Sequence, residues 1–457
     1  MARQVCSLKV LEDSHVSPPP GSVPTSTVPL TFFDIHWLGS FPMQRLFFFE
    51  FPYPTLHFTQ TVLPSLKTSF SHTLQHFFPF AGNLVLPPRP QQPYILYKEG
   101  DSVPFVVAES MANFNHLAGN HARTIGEFQE LLVTRLPRVL VMGGCKQQNA
   151  MAVRVTVFPN SGVSIGITFS HAVADGRAFA HFMKSWASIY RAQGDLTSLN
   201  GSLPIYNRDL IGDPGGLASI FTKDVWDWED LSSISLQQLR ITTVISRSQI
   251  EILKNWVRNK NATESQPEQL RLSAFIVTCA YMWVCLIRSE EREIGDDRGD
   301  DKLYHLVFIA DCRDRLNLPA TYFGNCLEPR FAEAKRNELV GENGVLVAAK
   351  AIGREVSELD KGVLKGAEQW LSRAKEVFQS GVYTISVAGS PKLRVYETDF
   401  GWGRPKKTEV AHLGSYGAMS ISESGGEEGG VEFGLALSQD ELEKFNVAFK
   451  QGWLGLR

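Results

Sequence analysis

Between residues 151 and 194 the spacing of apolar residues changes period, and no single element accommodates the change. Val153, Val155 and Val157 alternate with Arg154 and Thr156, PNSG follows, and Val163, Ile165, Ile167 and Phe169 alternate with Ser164, Gly166 and Thr168. A period of two on either side of a turn predicts a hairpin ending at Ser170. From Ala178 the period becomes helical, with Phe179, Phe182, Met183, Trp186 and Tyr190 on one face, and Gly194 follows. HAVADGR therefore has to be a strand-to-helix turn, an element edge where functional side chains are often placed.

A turn of this kind needs a framework, and 457 residues supply one. At roughly 150 residues per domain the chain holds about two to three domains' worth of core. A hydrophobic share of 43 % against 20 % charged excludes both disorder and an all-membrane chain. The 45 basic and 48 acidic residues leave a formal charge of −3, which gives no electrostatic footprint for nucleic acid or an anionic membrane surface. MARQVCSLKVL reaches polar and charged positions before any apolar stretch long enough for a secretory segment, so export is not expected. The longest nearly apolar run, 274–287, has about 14 residues where a spanning helix needs roughly 20, and it reads as a buried helix. Cys6, Cys145, Cys279, Cys285, Cys312 and Cys326 show no CxxC pair and no zinc-like spacing. Reduced thiols in the cytoplasm are the expectation, in which case the sequons at Asn200 and Asn261 meet no glycosylating compartment.

Along the chain, VSPPPGSVP is an extended lead-in to PLTFFDIHWL, where a packed core can begin. Residues 60–77 place Val62, Leu63, Leu66, Phe70, Leu74 and Phe77 at helical spacing, with Pro79 and Gly82 where the helix should stop. Gly, Ser, Asn, Asp and Pro dominate residues 193–216, the composition of a crossover between domains. A second apolar helix is expected from about Ser273, and 289–302 reads as a charged surface loop. YTISVAGS, AMSISES and VEFGLALS are β-rich. No repeat is visible.

His171, at the end of a strand, can accept a proton near neutral pH and suits a general base; a hydrogen-bonded structural histidine is the alternative. Asp175 either fixes the turn for that chemistry or caps the following helix. No further His or Cys lies nearby at ligand spacing, so no metal site is expected. Gly162-Val-Ser164-Ile-Gly166 matches G-x-S-x-G, but the nucleophile elbow needs a sharp turn and a helix at the serine, whereas the alternation here continues through Phe169. No phosphate-binding glycine loop is present. ADCRDR (310–315), YFGNC (322–326) and DFGWG (399–403), the last followed by RPKK, suggest tight turns carrying aromatic residues.

Taken together, HAVADG (171–176), YFGNC and DFGWG, in this order and in a chain of this length, resemble the plant BAHD acyl-CoA-dependent acyltransferases. The likeness runs from PLTFFD (29–34) and FFPFAGNL (77–84) to VAGSPK (387–392) and VEFGLALS (431–438). YFGNC and VAGSPK are similar to the clade that acylates glycosides of anthocyanins and other flavonoids.

The resemblance implies an α/β protein with mixed sheets. Two chloramphenicol acetyltransferase-like domains, 1–195 and 219–457, are joined by a crossover loop, 196–218. It implies a channel in which acyl-CoA and acceptor meet at His171, the general base. By the same resemblance Asp175 points away from substrate and pairs with an arginine, for which Arg313 is the candidate. By the same resemblance Gly176, Gly401, Trp402 and Gly403 support the site structurally and DFGWG is an element away from the chemistry, although Asp399 is counted with His171 as functionally essential. Ser273 and Ala274 are implied CoA contacts at a helix N-terminus, which suits phosphates. Ser386 and Ser390, or backbone amides beside them, are candidates for stabilising the oxyanion. Arg177 either pairs with a malonyl carboxylate or is an exposed first-turn arginine. The expected activity is transfer of malonyl from malonyl-CoA to a sugar hydroxyl of a flavonoid or other phenolic glucoside. A hydroxycinnamoyl donor on the same acceptors is the alternative, and a non-catalytic scaffold of the same fold is the alternative from another class. The expected partners are small molecules, with acyl-CoA as co-substrate, no nucleic acid, no membrane and a monomeric protein.

Overall fold

Valine and isoleucine at every second position are stiff at χ1 and pack well on a pleated surface, and the hairpin they predict forms. Met151–Phe158 pairs antiparallel with Gly162–Phe169, with Val155 opposite Ile165. The hairpin sits inside a six-stranded sheet in the order Lys9–Val16, Val103–Glu109, Met151–Phe158, Gly162–Phe169, Met43–Glu50, Lys407–Val410. Val103–Glu109 runs parallel to Met151–Phe158 and the other pairings are antiparallel. Every residue of Gly162–Phe169 is buried, Ser164 included, so both faces of this strand are covered.

The computed structural model describes residues 8–199, 201–224, 235–290, 302–381, 383–413 and 417–455. Cys6, Asn200 and most of the charged stretch 289–302 lie outside the described residues. Two compact units are present. The first comprises Met1–Leu236, Asn317–Cys326 and Leu393–His412, and the second Gln237–Leu316, Leu327–Lys392 and Leu413–Arg457. The first unit thus takes back two short segments from late in the chain, one carrying YFGNC and the other DFGWG.

Also in the first unit, Ser26–Pro29, Tyr94–Tyr97, Asn83–Leu86, Lys146–Asn149 and Arg138–Leu140 form an antiparallel five-stranded sheet. The helix expected over 60–77 is Leu63–His76, entered through a wider turn at Phe58–Val62, with Pro64 in its first turn, where proline is tolerated. Against it packs Gly176–Arg191, whose buried stripe includes Phe179, Phe182, Met183 and Trp186. The Trp186 indole donates to the Leu66 carbonyl at 3.3 Å, and its ring lies 4.6 Å from that of Phe70.

In the second unit the strands run Leu327–Lys335, Leu303–Asp311, Thr384–Ala388, Ala418–Glu423, Val431–Leu437, Leu239–Ile245. The two central pairings, on either side of Thr384–Ala388, are parallel. The apolar run becomes the helix Ala274–Ser289, buried from Ile276 to Ile287. Among the described residues no helix is long and apolar enough to cross a membrane. The five described cysteines are unbridged. Asn261 is buried and its side-chain amide donates to the Glu268 carbonyl at 2.8 Å.

Candidate active site

The turn between strand and helix begins where Ser170 N donates to the Ala150 carbonyl at 2.9 Å and closes as Val173 N returns to the Ser170 carbonyl at 3.0 Å. Asp175 then caps the helix Gly176–Arg191. Its Oδ1 accepts from the backbone N–H of Arg177 at 3.1 Å and of Ala178 at 2.9 Å. Satisfying these donors, which the helix leaves unpaired, stabilises it by about 0.5–2 kcal/mol. The second oxygen, Oδ2, accepts from the backbone N–H of Cys326 at 3.2 Å. The side chain is 1 % exposed and serves two segments at once. It is an N-cap, and it also ties YFGNC to the turn that carries His171.

His171 is 9 % exposed. Its Nδ1 lies 3.1 Å from the Asn325 side-chain oxygen. The Asn325 amide nitrogen donates to the His171 carbonyl at 2.9 Å and to Asp34 Oδ1 at 2.9 Å. Both acceptors lack a proton to give, so the amide orientation is fixed, its oxygen accepts from Nδ1–H, and the lone pair of the neutral imidazole sits on Nε2. Asp34 is fully buried and held from both sides. Oδ1 also accepts from Asn325 N at 2.8 Å, while Oδ2 accepts from Thr31 N at 2.9 Å and Thr31 Oγ1 at 2.8 Å. The Trp37 ring stacks on His171, centroids 3.8 Å apart and planes 4° from parallel.

Burial lowers the His171 pKa from its ordinary value. The contacts with Asp175 and Asn325 oppose that shift, and Arg45 adds to it. Burial, with the field of His171, pushes neighbouring His36 down to about 3. Both imidazoles are therefore neutral at neutral pH, the form in which Nε2 can take a proton. Among the described residues no group of three or more His, Cys, Asp or Glu is arranged to hold a metal ion. Ser164, in the G-x-S-x-G match, lies mid-strand opposite Thr156, without a turn.

The structure does not bring Asp399 to His171. Asp399 Oδ1 accepts from Gly401 N at 2.7 Å and Gly403 N at 3.1 Å, and its carbonyl accepts from Arg191 Nη1 at 2.6 Å. Gly401 and Gly403 have φ of 89° and 93°, which the tight turn requires. Phe400 meets the Trp186 ring edge-on at 5.0 Å, and Trp402 meets Tyr190 at 5.5 Å. DFGWG is thus docked on the C-terminal turns of the helix that HAVADG begins, roughly 20 Å along its axis at 1.5 Å per residue. Gly176 is the first residue of that helix, facing Leu393. Arg177 is half-buried in its first turn.

The remaining candidates belong to the second unit. Ser273 caps Ala274–Ser289, its Oγ accepting from Ile276 N at 3.2 Å, and Ala274 opens the helix. Ser386 lies in the strand Thr384–Ala388, and Ser390 Oγ accepts from Lys392 N at 3.2 Å in the turn that follows. Arg313 is fully buried and donates from its backbone N–H and Nη1 to Asp311.

Asn325, Asp34 and Trp37 were not among the residues read from sequence as site residues. The available signals were weak: T-x-x-D at 31–34 is a capping-box pattern, and YFGNC a glycine-aromatic turn.

A model of the Transferase family matches residues 9–451. The chain is 39 % identical to coumaroyl-CoA:anthocyanidin 3-O-glucoside-6''-O-coumaroyltransferase 1 of Arabidopsis thaliana, over 97 % of each chain. It is 36 % identical to malonyl-coenzyme A:anthocyanin 3-O-glucoside-6''-O-malonyltransferase of Dahlia pinnata, over 98 % of this chain and 97 % of that one. Among solved structures, vinorine synthase superposes with a TM-score of 0.69 at 20 % identity, covering 97 % of this chain and 98 % of the other.

Proposed function

This chain belongs to the Transferase family of BAHD acyltransferases, and on that footing we propose that it moves an acyl group from a coenzyme A thioester to a sugar hydroxyl of a flavonoid or other phenolic glucoside. Its fold is the mixed α/β, two-domain chloramphenicol acetyltransferase-like one. The observation that carries the mechanism is the fixed tautomer of His171, with Nδ1 facing Asn325.

Nε2 takes the proton of the sugar hydroxyl as the oxygen attacks the thioester carbonyl. The tetrahedral intermediate collapses, the carbon–sulfur bond breaks, and the CoA thiolate recovers the proton from Nε2. A new ester and a free thiol result, with no covalent enzyme intermediate. Ser386, Ser390 or amides beside them are proposed to donate to the oxyanion. Ser273 and Ala274 are proposed CoA contacts, supported by the capped helix N-terminus they form. Asp175, with Arg313 as its proposed ionic partner, Gly176 and the DFGWG turn are assigned to holding geometry. The proposed covalent layout remains 1–195, 196–218 and 219–457. In its favour, the described residues of the middle segment form short turns at Leu196–Leu199, Arg208–Leu210 and Pro214–Gly216, and a single bridge at Ile205, before the helix that starts at Leu217.

For the donor we propose malonyl-CoA, with Arg177 meeting the malonyl carboxylate; a half-buried guanidinium two residues from Asp175 suits that contact. A hydroxycinnamoyl donor is the second reading, and the 39 % identity to a coumaroyltransferase favours it. A donor screen separates the two: anthocyanidin 3-O-glucosides and other phenolic glucosides, offered malonyl-, acetyl-, coumaroyl- and caffeoyl-CoA separately, with products weighed by mass spectrometry. A malonyl mass increment that Arg177→Ala weakens is expected. A coumaroyl or caffeoyl increment alone would overturn the malonyl reading, and no product from any donor would overturn the acceptor class.

A further inference from the structure

The crossover segment holds a half-buried arginine, its guanidinium turned inward, that the mechanism above leaves unused. Arg208 Nη1 donates to the Tyr322 hydroxyl and to the Phe323 carbonyl, each at 2.6 Å. Its guanidinium carbon lies 5.3 Å from the centre of the Tyr322 ring. Nε and Nη2 are buried and, among the described residues, have no hydrogen-bond partner. A buried cation with two unused donors is costly unless an opposite charge faces it. Burial works against the guanidinium, and the field of Asp34 together with the Tyr322 contact outweighs it, so that Arg208 titrates above its ordinary value.

The same segment grips the loop beyond this one contact. Ile205 N donates to the Thr321 carbonyl at 3.0 Å and Phe323 N to the Ile205 carbonyl at 2.9 Å, a short parallel bridge. The Phe323 ring packs 5.3 Å from Tyr206 and 5.2 Å from Phe80. Next comes Gly324, with φ of 135°, where a Cβ would stand 2.2 Å from Arg208 Nη1. The positive φ favours glycine here, and a side chain would also have to displace the guanidinium. The residue after it is Asn325, which fixes His171.

We propose that Arg208 is a positioning residue: from the crossover it clamps YFGNC and so holds Asn325 where it sets the tautomer and orientation of His171. It touches neither substrate nor the reacting atoms. The inference rests on His171 being the base and adds to that reading a part for the segment 196–218.

The test follows CoA thiol release with an anthocyanidin 3-O-glucoside and the donor selected by the screen, in wild type, Arg208→Met, Arg208→Lys, Asn325→Ala and the Arg208→Met/Asn325→Ala double variant. Arg208→Met is expected to lower kcat at least about 30-fold with KM for both substrates within about 3-fold, because the loss is of geometry at the base and not of binding. Lysine keeps donors for Tyr322 and Phe323, so Arg208→Lys recovers at least about 5-fold of that loss. With Asn325 already removed, Arg208→Met changes kcat by less than about 3-fold, the signature of two residues acting on one group. A kcat within about 3-fold of wild type in Arg208→Met, a loss confined to KM, or effects that multiply in full in the double variant would each overturn the proposal. If Arg208→Met fails to fold, the same cycle run with Arg208→Lys decides by the same additivity criterion. His171→Ala in the same assay keeps the two levels apart: full turnover there sinks the base assignment itself, whereas a dead His171→Ala beside an active, unperturbed Arg208→Met sinks only the clamp.

Discussion

Asn325 decides which nitrogen of His171 carries the lone pair, and burial keeps that nitrogen unprotonated, as the proposed base requires. Two acceptors, the His171 carbonyl and Asp34, hold the Asn325 amide in one orientation, so the imidazole can present only Nε2. With the His171 pKa depressed by burial, the base stays neutral below the ordinary histidine value. Protonation removes the base, so activity is lost as pH falls through the folded-state pKa, and the acid limb of kcat/KM is expected below about pH 6.5. Asn325→Ala removes a contact that raises this pKa, so the limb moves to still lower pH while kcat drops. A wild-type limb above pH 7 would contradict the burial argument. At this scale the sequence shows the type of residue but not its partner. His171 stands out at its element edge, yet Asn325 lies 154 positions away and Asp34 a further 291 from Asn325 in the other direction, and hydrogen bonds between distant segments leave no periodic trace.

At the scale of elements, one helix carries both diagnostic motifs, HAVADG at its start and DFGWG against its end. Its period was legible because Phe179, Phe182, Met183 and Trp186 must all face one core, and its start because Asp175 is a strong cap. DFGWG was legible as a turn and not as a location. Nothing in its composition says that Phe400 and Trp402 pack on Trp186 and Tyr190. Since Asp399 spends Oδ1 on Gly401 and Gly403, its role is predicted to be that of a turn former. An asparagine oxygen accepts the same two bonds, so Asp399→Asn should keep kcat within about 5-fold, while Asp399→Ala lowers the melting temperature modestly, a loss of about 0.5–1.5 kcal/mol, because the exposed amides it frees turn to water. A thousand-fold loss of kcat in Asp399→Asn at an unchanged melt would return the residue to the chemistry.

Over the whole molecule, the late strands and the capped apolar helix at 274–289 follow from local period and caps, and the mixed α/β class from the family resemblance. The assembly does not follow so directly. The first unit recruits Asn317–Cys326 and Leu393–His412 from the far half of the chain, and these bring in Asn325 and the DFGWG turn. A linear reading of domains cannot foresee such returns, because they are fixed by long-range pairings such as Lys407–Val410 against Met43–Glu50. Everything converges on one group. The most direct measurement is therefore the turnover of His171→Ala beside wild type, read as ester product and free thiol from an anthocyanidin 3-O-glucoside and the preferred acyl-CoA, with the melting temperature recorded for both. The account predicts a kcat lower by about 10²–10⁴-fold, the usual contribution of a positioned general base, at a nearly unchanged melt. A variant that turns over within a few-fold of wild type would contradict it.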